Sequence, residues 1–163
     1  MKGNEGKMEI FSPSFKDGGA IPMKYSQKGE NISPPLKWKG APSNTKSFAL
    51  IMHDNTPLCP GGCSHWVVWN IPPTFSELPE NVQKAAKLSN GICQGLNIMK
   101  QNFYVGPNPP FGINNYTFYI FALDTLLNLD ESTNITDLQI AMMNHVLATG
   151  QVLGRFSYTE KIE

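Results

Sequence analysis

Three short runs constrain this chain more than any other feature: Phe48 to Met52, "HWVVWNI" from His65 to Ile71, and "YTFYIFAL" from Tyr116 to Leu123. Each is rich in β-branched and aromatic residues and is bounded by turn formers, which is the signature of a strand. Their apolarity is almost unbroken, whereas a strand with one wet face would alternate, so they predict strands covered on both faces. Thirteen prolines and fourteen glycines punctuate the rest. With 163 residues, no low-complexity tract, no repeat and no long linker, the chain is expected to form one mainly β domain over residues 1–163.

One helix is predicted after Asn134, where "TDLQIAMMNHVLATG" places Leu138, Ala141, Met142, His145 and Val146 at three-and-four spacing. Thr136 with Gln139 reads as its capping box and Gly150 as its stop. A weaker helical segment is expected from about Ser76 to Ala86, despite Pro79, and "QVLGRFSYTE" returns to a strand pattern.

Composition excludes several functions. Thirteen basic residues balance thirteen acidic ones, so there is no charge excess to hold a nucleic acid through counterion release. No segment approaches the roughly 18 apolar residues of a membrane span, and "MKGNEGKMEIFSPSF" has no apolar stretch of signal-peptide length. Three cysteines are odd in number and too few for a secreted disulfide scaffold. A cytoplasmic protein is expected.

Two loops are dense in chemistry. The first, "HDNTPLCPGGCSHW" from His53 to Trp66, crowds two histidines, two cysteines and an aspartate into one connection. Its Cys59 and Cys63 are separated by three residues instead of the two of a zinc knuckle, and no second knuckle exists, so no metal is expected. A Cys59–Cys63 disulfide across the Pro-Gly-Gly turn is open, as is the plain reading of two small loop residues. Ser64 is adjacent to His65 in sequence, but neighbours on a strand face opposite ways, and no nucleophile signature surrounds them. His53 and His145 read as structural. Asp54 and His65 carry more weight, since each sits where an apolar strand runs into an irregular loop that can open a cleft.

The second loop, "YVGPNPPFGINNY" from Tyr104 to Tyr116, holds three prolines and two glycines. The prolines lack an N–H and fix φ, so the loop is expected to be shaped before a ligand arrives. A preshaped wall lowers the ordering cost of binding.

Taken together these segments resemble the phosphatidylethanolamine-binding proteins, and among them the bacterial and archaeal Raf-kinase-inhibitor-like branch. The resemblance covers nearly the whole chain: "FSPSFKDGGAIPMKYSQKGENISPPLKW", "GAPSNTKSFALIMHD", "HWVVWNIP", "YVGPNPPFG", the "YTFYIFALD" strand and the "AMMNHVLA" helix follow in family order. It implies a β-sandwich of a large and a small sheet with a few flanking helices and one pocket for a small anion such as phosphate or a phospholipid head group. It further implies a binder without cofactor or metal that regulates a kinase or protease, and a homodimer. The family's pocket aspartate falls on Asp54, its first histidine on His65, its Gly-x-Pro-Pro loop on Gly106, Asn108, Pro109 and Pro110, and its tyrosine on Tyr116.

Two departures stand out. "DNTP" is one residue shorter than the family's Asp-Pro-Asp-Ala-Pro, which leaves Pro57 as the corresponding proline. Asn114 stands where a second pocket histidine is usual; an amide donates hydrogen bonds but cannot carry an imidazolium's charge. The resemblance thus gives Asp54, Pro57, His65, Gly106, Asn108, Pro109, Pro110, Asn114 and Tyr116 as the ligand-binding set. Two other readings of the same residues are a hydrolase using Asp54 and His65 as a general-base pair, and an interaction protein with a vestigial pocket.

Overall fold

The computed structural model describes residues 5–56 and 63–163. In chain order the elements are β1 (Gly6–Lys7), β2 (Glu9–Phe11), β3 (Gly19–Ala20), β4 (Leu36–Lys39), β5 (Ser47–Asp54), β6 (Cys63–Ile71), β7 (Glu77–Leu78), β8 (Cys93–Gln94), β9 (Asn114–Leu123), α1 (Ile135–Met142) and β10 (Val146–Phe156). A seven-stranded sheet runs β1-β10-β9-β5-β6-β8, with β3 also on β10, and a three-stranded sheet runs β2-β4-β7.

The three apolar runs are β5, β6 and β9, which lie side by side in the middle of the large sheet. Their unbroken apolarity has the cause expected of it, because both faces are covered. On one face Phe48, Leu50, Met52, Trp66, Val68, Phe118 and Ile120 meet Ile10, Leu36 and Trp38 of the small sheet. On the other, Ala49, Ile51, Val67 and Trp69 pack under Leu138 and Met142 of α1. Burying one such side chain is worth about 1.5–3 kcal/mol, so this double cover is the main source of cohesion.

The helix differs from its sequence pattern in both cap and length. Asn134, not Thr136, is the N-cap: its side chain accepts from Asp137 N at 2.9 Å, and the Asp137 carboxylate accepts from Asn134 N at 3.1 Å. The helix stops at Met142, because Asn144 takes a left-handed φ of 68° and Val146 then joins β9 as the start of β10. His145 therefore lies in the turn, paired with Asp124 at 2.7 Å, instead of on a helical stripe. Gly150, read as a helix stop, is mid-strand, where a Cβ would stand 2.3 Å from the Met8 carbonyl oxygen. Close approach of two backbones, not chain reversal, is what requires glycine there.

The Ser76–Ala86 segment is not helical. Glu77 and Leu78 pair with Lys37 and Leu36 to form the edge of the small sheet, Leu78 is buried, and Asn81 has a φ of 63°. Of the few flanking helices expected, α1 is the one α-helix among the described residues, beside a single 3-10 turn at Met23–Tyr25.

Candidate functional site

The site forms where β5, β6 and β9 reach the same end of the large sheet. Asp54, the last residue of β5, is in register with Cys63 on β6 and with Tyr116 on β9. Cross-strand partners share a face, and so do residues two apart on one strand. Asp54, Tyr116 and Asn114 are therefore brought together by alternation alone.

His65 is not. Met52 pairs with Trp66 and His53 pairs with Ser64, so His65 is an extra residue in β6 opposite no residue of β5. This is a β-bulge, a device that bends a strand and re-aims a side chain. Plain alternation back from Trp66 would send His65 to the helix-covered face; the bulge returns it to the side of Trp66 and Tyr116. Its ring packs edge-on against Tyr116, with centroids 5.3 Å apart at 84°. Ser64 faces away from His65, as the strand geometry predicts, and its hydroxyl is buried without a partner in a separate cavity near the start of α1.

The second loop closes the site. Val105 N donates to the His65 carbonyl at 3.1 Å, and the His65 Nδ1–H donates to the Val105 carbonyl at 2.8 Å. Gly106 is held by Asn31, whose Oδ1 accepts from Gly106 N at 2.7 Å, and by Gln27, whose Nε2 donates to Gly106 O at 3.1 Å. Gln27 N and the Tyr158 hydroxyl both donate to Pro107 O. These bonds fix the wall from three directions.

The resulting cavity, of about 320 Å³, is lined by Asp54, His65, Asn108, Pro109, Pro110, Asn114 and Tyr116, with Gln27, Thr56, Cys63 and Ile98 completing it. Seven of the nine residues given by the family resemblance thus converge. Gly106 is not a lining residue but a spacer: a Cβ there would sit 2.0 Å from the Tyr25 carbonyl oxygen. Pro57 lies outside the described residues, as does Cys59 and with it the question of a Cys59–Cys63 disulfide. Gln27, Thr56 and Ile98 are lining residues that the sequence reading does not include: Gln27 and Thr56 lie in motif-bearing stretches that do not single them out, and Ile98 lies in a stretch without a motif. Thr56 had the one available signal, an Asx-type turn two residues after an aspartate.

Polar atoms in the cavity are largely committed to one another. Asp54 Oδ1 accepts from both the backbone and the hydroxyl of Thr56, and Oδ2 accepts from Asn114 Nδ2 at 3.3 Å. Burial, the largest influence, pushes the His65 pKa below its usual value, although the Val105 carbonyl, the Asp54 charge and the Gly106 backbone pull the other way. The ring is then neutral near pH 7. Because a carbonyl can only accept, its proton is on Nδ1 and its Nε2 is an acceptor. Burial first, and the Asp54 charge second, hold the Tyr116 hydroxyl protonated well beyond the usual phenol range. His53 faces the opposite side of the sheet, lining a different cavity with Tyr119 and Phe121.

The sheet arrangement agrees with what comparison with known proteins shows. The family model for phosphatidylethanolamine-binding protein matches residues 11–157. A UPF0098 protein of Methanothermobacter thermautotrophicus is 43% identical over 150 residues, covering 91% of this chain and 98% of its own length. Among solved structures, a phosphatidylethanolamine-binding protein homologue from Chlamydia trachomatis superposes with a TM-score of 0.83 at 35% identity, covering 96% of this chain and all of its own. The YbcL protein of E. coli, described as a member of the mammalian family, gives 0.86 at 28% identity over 94% of this chain and all of its own. This chain belongs to the phosphatidylethanolamine-binding protein family, in its bacterial and archaeal branch. Among the described residues, no helix is long and apolar enough to cross a membrane.

Proposed function

We propose that the chain is a binding protein, not an enzyme, whose pocket holds a small oxyanionic group such as a phosphate, either free or carried on a larger ligand. One observation supports this above the rest: a β-bulge is used to bring His65 onto the face that carries Asp54, Asn114 and Tyr116, opposite a proline wall already fastened in place. A cavity of this size suits a head group more than a lipid chain, and its few convergent polar groups are what a recognition site needs. The kinase- or protease-regulating role and the homodimer that the family resemblance implies would place this pocket at or near a protein partner.

Hydrolysis by an Asp54–His65 pair fits less well. In a working general-base pair the carboxylate receives the Nδ1 proton of the histidine and orients it. Here that proton goes to Val105, and Asp54 is occupied by Thr56 and Asn114. Calorimetry of phosphate binding to wild type, His65→Ala and Tyr116→Phe tests the proposal, with both variants expected to bind more weakly. Turnover of p-nitrophenyl phosphate or acetate that disappears in His65→Ala would instead establish the hydrolase.

A further inference from the structure

Resting on that reading of the pocket, we infer that the site selects its oxyanion by protonation state: it takes a phosphate that still carries a proton, whose P–O–H donates to Asp54, and rejects an oxyanion of similar size that has none. The argument is an inventory of free valences. Among the described residues, no lysine or arginine lines the cavity and no ion pair involves Asp54. A dianion entering it would meet a carboxylate with no resident cation to offset the repulsion.

The donors are few. Pro107, Pro109 and Pro110 have no N–H, so the wall presents almost none from its backbone. One N–H of Gln27 Nε2 is given to Gly106 O, the Thr56 hydroxyl to Asp54, and the Asn114 amide to Asp54 and to the Tyr116 oxygen, which the Asn108 backbone N–H also meets. That leaves three neutral donors, the Tyr116 O–H, the second N–H of Gln27 and the exposed side-chain amide of Asn108, to meet the charged oxygens of a ligand. Acceptors remain in supply. A carboxylate offers about four lone-pair sites, and Asp54 uses three, the long one at 3.3 Å on Oδ2; the neutral His65 ring adds its Nε2. Neutral donors beside free acceptors match a phosphate with both P–O⁻ and P–O–H oxygens; sulfate has no proton for Asp54 or His65 Nε2 and meets the carboxylate charge without a cation.

The titratable groups around Asp54 are His65 on β6, Tyr116 on β9 with Tyr158 beyond it, and His53 behind it on the other face of β5. Of these, only the histidines could change charge between pH 5 and 8. A protonated His65 would serve sulfate and phosphate alike, which makes sulfate the control.

The test is a titration of the wild-type chain with ethyl phosphate and with sulfate from pH 5 to pH 8, followed by two-dimensional NMR at the pocket residues and repeated on Asp54→Asn. A phosphate monoester loses its second proton near pH 6, so its affinity is expected to fall about tenfold per pH unit above that point. Sulfate, dianionic throughout, is expected not to bind, whereas Asp54→Asn is expected to admit sulfate and to flatten the phosphate profile. Sulfate binding as tight as ethyl phosphate, or a phosphate affinity that does not change with pH, would overturn the inference and leave the anion pocket standing. Pocket resonances unmoved by either anion at any pH would overturn both. Should Asp54→Asn fail to fold, the wild-type comparison decides alone.

Discussion

His65 and Val105 exchange two hydrogen bonds, one through the backbone at 3.1 Å and one from the imidazole Nδ1 at 2.8 Å, and this exchange ties the bulge in β6 to the proline wall of the pocket. The same ring that lines the site therefore holds the site's far side in place. At 5% exposure it is also part of the core.

His65→Ala is accordingly expected to cost stability as well as binding. Loss of a buried ring and of a hydrogen bond that leaves the Val105 carbonyl unpaired amounts to about 2–4 kcal/mol. Urea denaturation should show it as a lowered midpoint with an unchanged slope. A midpoint equal to that of wild type would mean that the ring contributes nothing to the wall.

Lowering the pH should weaken the fold through the same residue. The folded-state pKa of His65 lies below its unfolded value near 6.5, so the unfolded chain binds more protons in the interval between the two. Stability from this source is complete above about pH 6.5 and declines as pH falls toward the folded pKa. His53, also depressed chiefly by burial, acts with the same sign. The loss of midpoint between pH 7.5 and 5.5 should thus be smaller in His65→Gln than in wild type, but not zero.

Gly106→Ala is expected to destabilise by about 1–3 kcal/mol, since its Cβ would meet the Tyr25 carbonyl oxygen at 2.0 Å and the backbone must shift. Because Gly106 anchors the wall without lining the cavity, phosphate affinity should fall too. Normal affinity in a destabilised protein would separate the wall's position from its role in binding.

Asn114→His places an imidazole where an amide now donates to Asp54 at 3.3 Å. A histidine beside a carboxylate favours its charged form. The variant should therefore offset the Asp54 charge and bind sulfate below about pH 6.5 more tightly than wild type, which is expected to reject it. Sulfate binding that stays absent in a folded variant would show that Asp54 is not what excludes it.

How far the sequence reveals this arrangement depends on which physical signal each part leaves. β5, β6 and β9 are legible because burial on both faces writes itself as uninterrupted apolarity. Asp54 and Tyr116 follow once those strands are paired. The bulge at His65 leaves no composition signal: without family resemblance, alternation would send that ring to the wrong face. The helical pattern runs on past Met142 because "NHVLATG" continues a helical spacing, and only the pairing of β10 with β9 assigns Val146 onward to a strand. Gly106 and Gly150 look like turn formers but serve close backbone contacts, which are tertiary facts. Gln27 and Asn31 reach the wall from about eighty residues away, and the family-like stretch that holds them does not reveal that contact.

The most direct test of the pocket is a two-dimensional ¹H–¹⁵N NMR titration of the wild-type chain with inorganic phosphate at pH 6. Saturable shifts should concentrate on Asp54, Thr56, His65, Asn108, Asn114 and Tyr116, whose side chains surround one cavity. Shifts that instead gather around Tyr119, Phe121 and Gln139 on the opposite face of the sheet, or no saturable shifts at all, would contradict the account.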